Sequence, residues 1–136
     1  MNRKRLLLTI LVIIIGTGAF LAYREYNRQP VNIKNAKAAI IPSSVLVKEF
    51  VKDETAANKK YADKIIQVSG QVKEVTQNQE GITVVVLSAE DPEYSLRCTF
   101  DNKINNVKTG ETISLKGLCK GLLMDELIMD RCYPIE

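Results

Sequence analysis

Two of the most strand-like stretches of this chain, KIIQVSGQVKEV at 64–75 and TISLKGLCKGL at 112–122, each carry a glycine at the centre, Gly70 and Gly117. A flat sheet disfavours glycine, which has no side chain to pack and loses more backbone freedom on folding than any other residue. A sheet that bends sharply has a use for it. On the concave face a glycine removes a crowded side chain and permits the bulge that tightens the bend. Alternation places both glycines inward, alongside Ile66, Val68 and Val72 in the first stretch and Ile113, Leu115 and Cys119 in the second. The pair therefore predicts two long strands that coil through the corners of a sheet closing on itself.

The rest of the pattern supplies the other walls. Val75 breaks the parity of the first strand (65–76) and predicts a bulge. After the loop QNQEG, the segment ITVVVLSA is apolar on both faces, which predicts a strand covered on both sides. YSLRCTF alternates with Tyr94, Leu96, Cys98 and Phe100 inward and Arg97 outward. TISLKGLC and ELIMDRCYPI complete five strands. Before them, Ser43 and Ser44 are candidate helix caps, and the composition predicts a helix over 44–61 that Asp53 interrupts or recaps. The expected fold is mainly β: a five-stranded OB-type Greek-key barrel with one N-terminal helix packed on it, over residues 43–136.

Residues 6–23, LLLTILVIIIGTGAFLAY, are eighteen residues without a charge. As a helix they span about 27 Å, close to the hydrocarbon thickness of a bilayer. Arg3, Lys4 and Arg5 precede the run, so the expectation is a single-pass anchor with residues 1–5 cytoplasmic and the C-terminal domain extracytoplasmic. A cleaved signal peptide is the alternative, although no clean A-x-A site follows the run. Residues 24–42 read as a tether. Charge divides accordingly: residues 1–37 carry seven basic groups against Glu25 alone, whereas 38–136 carry twelve basic and fifteen acidic residues, a balance of −3.

The run AANKKYADKIIQVSGQVKEV, followed by RCTFDN, KTGETISLKGLCKG and MDRC, resembles the tRNA_anti-like family, OB-fold domains of bacterial lipoproteins and membrane-anchored envelope proteins. The resemblance covers about residues 45–135, with DELIMDRC one residue longer than the usual spacing. It implies the fold. It implies no activity, because fold analogy does not supply one.

The chain has no histidine, which removes histidine triads, histidine bases and mixed zinc sites. No phosphate-cradling glycine loop, cofactor motif or calcium-loop spacing is present. No enzyme is expected, and no cofactor or metal. Cys98, Cys119 and Cys132 form no C-x-x-C pair. In an OB barrel Cys132 faces either Cys98 or Cys119; the hairpin makes Cys119–Cys132 the easier bridge, with three reduced buried thiols as the alternative. Leu122, Leu123 and Met124 fall in a predicted hairpin loop, as an exposed contact patch or a plug under the barrel. The acidic balance, the inward aromatics and the lack of tryptophan argue against nucleic acid, with Arg97 the one outward cation on its strand. The expected function is a membrane-anchored binding module for an envelope protein or glycan; the alternative is a single-stranded nucleic-acid binder.

Overall fold

The computed structural model describes residues 2–27 and 32–135, in two compact units, Met1–Val31 and Asn32–Glu136. The first unit is one helix, α1 (Arg3–Tyr26), with no buried residue. It is long and apolar enough to cross a membrane. Its two threonines turn their hydroxyls back on the helix: Thr9 donates to the Leu6 carbonyl at 2.8 Å and Thr17 to the Ile13 carbonyl at 2.8 Å. Neither leaves an unpaired polar group on the apolar surface. Residues 28–31 of the expected tether lie outside the described residues.

The second unit contains β1 (Ala39–Pro42), α2 (Ser43–Lys52), α3 (Glu54–Tyr61), β2 (Ile65–Gln77), β3 (Thr83–Ser88), β4 (Ser95–Phe100), β5 (Thr112–Leu123) and β6 (Glu126–Ile135). The sheet runs β1-β2-β3-β4-β6-β5, and β5 pairs back onto β2. This closes a ring of five strands, β2-β3-β4-β6-β5, with β1 outside it on β2 in parallel. The closed barrel expected from the two glycines is the fold observed. Its interior holds Val68, Val85, Leu87, Leu96, Phe100, Leu115, Leu127 and Met129. Leu46, Val47 and Phe50 from α2 and Ala57 and Tyr61 from α3 join the same core.

Each strand glycine sits at a close approach. A Cβ on Gly117 would lie 2.6 Å from Cys132 Sγ, 3.1 Å from Met129 Cε and 3.2 Å from the Asp130 carbonyl oxygen. Here β5 and β6 shift register, between Lys116 and Leu118. A Cβ on Gly70 would run into Ser43 Oγ and lie 3.0 Å from Ser43 Cβ, so this glycine lets the start of α2 seat on β2. The parity break in β2 is a register shift between Val72 and Glu74. The extra residue of DELIMDRC is absorbed in β6, where Leu118 pairs with Asp130, Lys116 with Tyr133, and Arg131 adopts φ +52°.

The expected interruption of the helix at Asp53 is found, and two other local expectations, on Ser43 and on residues 39–42, differ from the structure. Asp53 ends α2 and caps α3, its Oδ1 accepting from the Ala56 amide at 3.0 Å. Ser43 does not cap: it lies inside α2, and its hydroxyl donates to the Ser88 carbonyl at 2.7 Å. Residues 39–42, expected in the tether, form β1, and Ile33 is buried in a short turn before it.

Candidate functional site

The outer β1/β3 edge of β2 is shared. β1 pairs with Ile66, Gln67, Val68 and Ser69, and β3 takes over at Val72. Gly70 and Gln71 have no strand partner on that edge. A cleft of 430 Å³ opens at this fork, lined by Pro42, Ser43, Ser44, Ser69, Gly70, Gln71, Ser88, Glu90 and Thr112. The start of α2 forms one wall and carries no side-chain cap. Several polar groups are already engaged: Ser43 with the Ser88 carbonyl, Gln71 Nε2 donating to the Gly110 carbonyl at 3.1 Å, and Ser88 Oγ accepting from the Glu90 amide at 3.3 Å. The hydroxyls of Ser44, Ser69 and Thr112 have no hydrogen-bond partner among the described residues. Glu90 is the one ionisable group in the lining.

A second cleft, of 580 Å³, is lined by Lys34, Gln67, Asn102, Ile104, Lys116, Tyr133, Pro134 and Ile135. Lys34 Nζ stands 5.1 Å from the centre of the Tyr133 ring. Lys116 Nζ donates to the Ala36 carbonyl at 2.8 Å. The Tyr133 hydroxyl donates to Asp101 Oδ2 at 2.7 Å, and this bond raises the phenol pKa.

The sequence-predicted residues lie apart from both clefts. Arg97 sits on the outer face of β4, in register with Val86 of β3 and Ile128 of β6. Its Nε donates to Glu126 Oε2 at 2.8 Å, so its charge is matched. The residues of β3 and β4 that point away from the barrel interior are Val84, Val86, Ser88, Ser95, Arg97 and Thr99; Val84 and Val86 are buried, and none is aromatic. The expected hairpin loop is mostly strand: β5 runs to Leu123, β6 starts at Glu126, and Met124 turns at φ +57°. Leu122 packs against the core, whereas Leu123 is 64% and Met124 88% exposed. The loop at 89–94 meets this tip through the Ser95 amide and the Asp125 carbonyl (3.1 Å). The loop at 78–82 belongs to the opposite end of the barrel, where Gln77 pairs with Thr83.

All three cysteines are free and buried. The expected Cys119–Cys132 bridge is not formed: Cys119 pairs in register with Met129, and the thiol beside Cys132 is that of Cys98. Burial pushes the Cys98 thiol pKa well up and that of Cys119 up to about 11. In the acidic loop, Asp91 Oδ1 accepts from the Glu93 and Tyr94 amides at 2.9 and 3.1 Å. No group of three potential ligands that could hold a metal occurs among the described residues.

The fork was not legible in the sequence, because it needs β1 to be recognised as a strand and placed beside β3. Ser43 and Ser44 open α2, Ser69 lies within β2 and Ser88 ends β3, with no shared spacing to mark them.

A closed five-stranded barrel with β6 inserted in parallel beside β4 is the OB-fold, a scaffold for binding. The chain belongs to the tRNA_anti-like family, whose model matches residues 1–133. Among solved structures it is similar to a protein of Klebsiella pneumoniae subsp. pneumoniae MGH 78578 named a "putative nucleic acid-binding lipoprotein". That likeness has 13% identity and a TM-score of 0.59, over 79% of this chain and 100% of the other. A "putative aspartyl-tRNA synthetase" from Leishmania major Friedlin aligns at 13% identity with a TM-score of 0.46, over 85% of this chain and 25% of the other. At such identities the likeness is one of fold. No curated protein matches the sequence.

Proposed function

We propose that this chain is a membrane-anchored, non-catalytic OB-fold binding module. In this reading α1 crosses the cytoplasmic membrane with its N-terminus inside, and the barrel stands in the bacterial envelope and binds a glycan or protein there. The observation that carries the ligand class is the outer face of β3 and β4. Single-strand binders of this fold use that face as a basic groove with aromatic stacking platforms. Here that face has Val84 and Val86 buried, and carries Thr99 and an Arg97 already matched by Glu126. With an acidic balance over residues 38–136, little is left to attract a phosphate backbone.

A second reading, an oligonucleotide binder, draws on the Lys34–Tyr133 cleft and on the name of the Klebsiella neighbour. Fluorescence anisotropy of labelled single-stranded DNA and RNA against the full chain in lipid nanodiscs separates the two. The proposed function predicts no binding even at low salt. Salt-sensitive binding abolished by Lys34→Ala and Tyr133→Ala would establish the second reading instead. Protease added outside intact spheroplasts is expected to degrade the barrel; protection would overturn the topology.

A further inference from the structure

The cleft at the fork of β2 differs in chemistry from the Lys34–Tyr133 cleft. It brings together four serines, a threonine, a glutamine and one glutamate, from four elements and a loop, around the bare backbone of Gly70. It holds no cation and no aromatic ring. We propose that it is a binding site for a neutral, hydroxyl-rich ligand: one or two rings of an uncharged sugar. This rests on the reading of the barrel as an envelope binding module, and it names the ligand class.

Three properties of the cleft select that class. First, Ser44, Ser69 and Thr112 present hydroxyls with no partner among the described residues, and each is both donor and acceptor. A sugar hydroxyl has the same dual character, so such groups pair in either sense. Second, the Gly70–Gln71 backbone lies between the end of one strand partner and the start of the next. The gap is two residues long, too short to accept an added strand but wide enough for a compact ligand. Gly70 lets Ser43 close in on the floor: a side chain there would meet Ser43 Oγ, which the Ser88 carbonyl holds in place. Third, Glu90 is the sole charged side chain in the lining, so a phosphate, a carboxylated sugar or a nucleotide would meet like charge, offset only by the partial positive charge at the start of α2. A volume of 430 Å³ falls in the small-molecule range of roughly 300–1,000 Å³. The cleft is also distinct from the β3–β4 face, which OB-fold binders commonly use.

The probe is N,N′-diacetylchitobiose, titrated into the isotope-labelled full chain in phosphocholine micelles, whose headgroups carry no sugar. Without a stacking ring, a dissociation constant on the order of 1 mM is expected. Saturable amide shifts should centre on Ser44, Ser69, Gly70, Gln71, Glu90 and Thr112. Ser44→Ala and Thr112→Val should each weaken binding by about two- to tenfold, the loss of one neutral hydrogen bond, without disturbing shifts elsewhere. Lys34→Ala and Arg97→Ala should leave it unchanged. Inorganic phosphate should shift none of these amides. The proposal is overturned if the disaccharide produces no saturable shifts, if its shifts fall outside the cleft, or if phosphate produces the same ones. Failure here together with silence in the oligonucleotide assay removes the sugar site alone. Failure here with salt-sensitive oligonucleotide binding removes the broader reading as well.

Discussion

Gly117→Ala tests why the barrel tolerates a glycine in its most buried turn of strand. The new methyl group would stand 2.6 Å from Cys132 Sγ and 3.1 Å from Met129 Cε, against about 3.5–4 Å for relaxed contact. Met129 ends in a flexible thioether and can move. Cys132 has one side-chain torsion inside a filled core, so a shift of about 1 Å must come from the backbone of β6. Overpacking of this kind costs about 1–3 kcal/mol, and the stiffer unfolded chain returns about 0.4–1 kcal/mol. The net loss is about 0–2.6 kcal/mol, and each kcal/mol lowers Tm by roughly 4–8 °C for a domain near 100 residues. Cys132→Ala deletes the atom in conflict. In that background Gly117→Ala should be neutral to slightly stabilising, giving a coupling energy of about 1–3 kcal/mol. Urea unfolding of residues 32–136 in reductant, followed by circular dichroism for the four members of the cycle, measures this. Additivity within about 0.5 kcal/mol would refute the close-approach argument.

Asp53→Ala removes the cap of α3 and should cost about 1 kcal/mol in the same urea assay, while Asp53→Asn, which caps equally well, costs little. Met124→Gly should stabilise the hairpin by up to about 1 kcal/mol, because Met124 holds φ +57° with an 88% exposed side chain; a loss of stability would show that the side chain makes a contact of value. Burial holds the Cys119 thiol neutral up to about pH 11, against a reference of 9.0. The unfolded thiol ionises first as pH rises, so the stability this group contributes is complete below pH 9 and disappears between about pH 9 and 11, a loss of about 2–3 kcal/mol. Unfolding midpoints from pH 8 to 10.5 should fall more steeply for the parent than for Cys119→Ala; parallel curves would count against a buried thiol.

The strands were legible because their pattern is local. Alternation through Leu96, Cys98 and Phe100 marks β4, the doubly apolar run marks β3, and β6 spans the residues its pattern implies. Val75 signalled the bulge in β2, whereas the register shifts between β5 and β6 carried no such local mark. What the sequence did not disclose depends on partners far along the chain. AIIP is four residues with a proline and no alternation, and it is a strand only because β2 offers a parallel edge. Ser43 has the composition of a cap, yet the Ser88 carbonyl, 45 residues away, takes its hydroxyl. The cysteine neighbours follow from the register shift at Lys116/Leu118, which turns Cys132 toward Cys98 and away from Cys119. The polar fork combines the first two of these effects, which is why its residues carry no common signature.

A crystal structure of residues 32–136 grown with N,N′-diacetylchitobiose decides whether the barrel receives an uncharged ligand at the fork of β2 rather than a nucleic acid on its outer face. Sugar density is expected against Gly70, with ring hydroxyls about 3 Å from Ser44 and Ser69 Oγ. Sugar seated on the Val86–Arg97 face, or an empty fork beside an occupied Lys34–Tyr133 cleft, would contradict it.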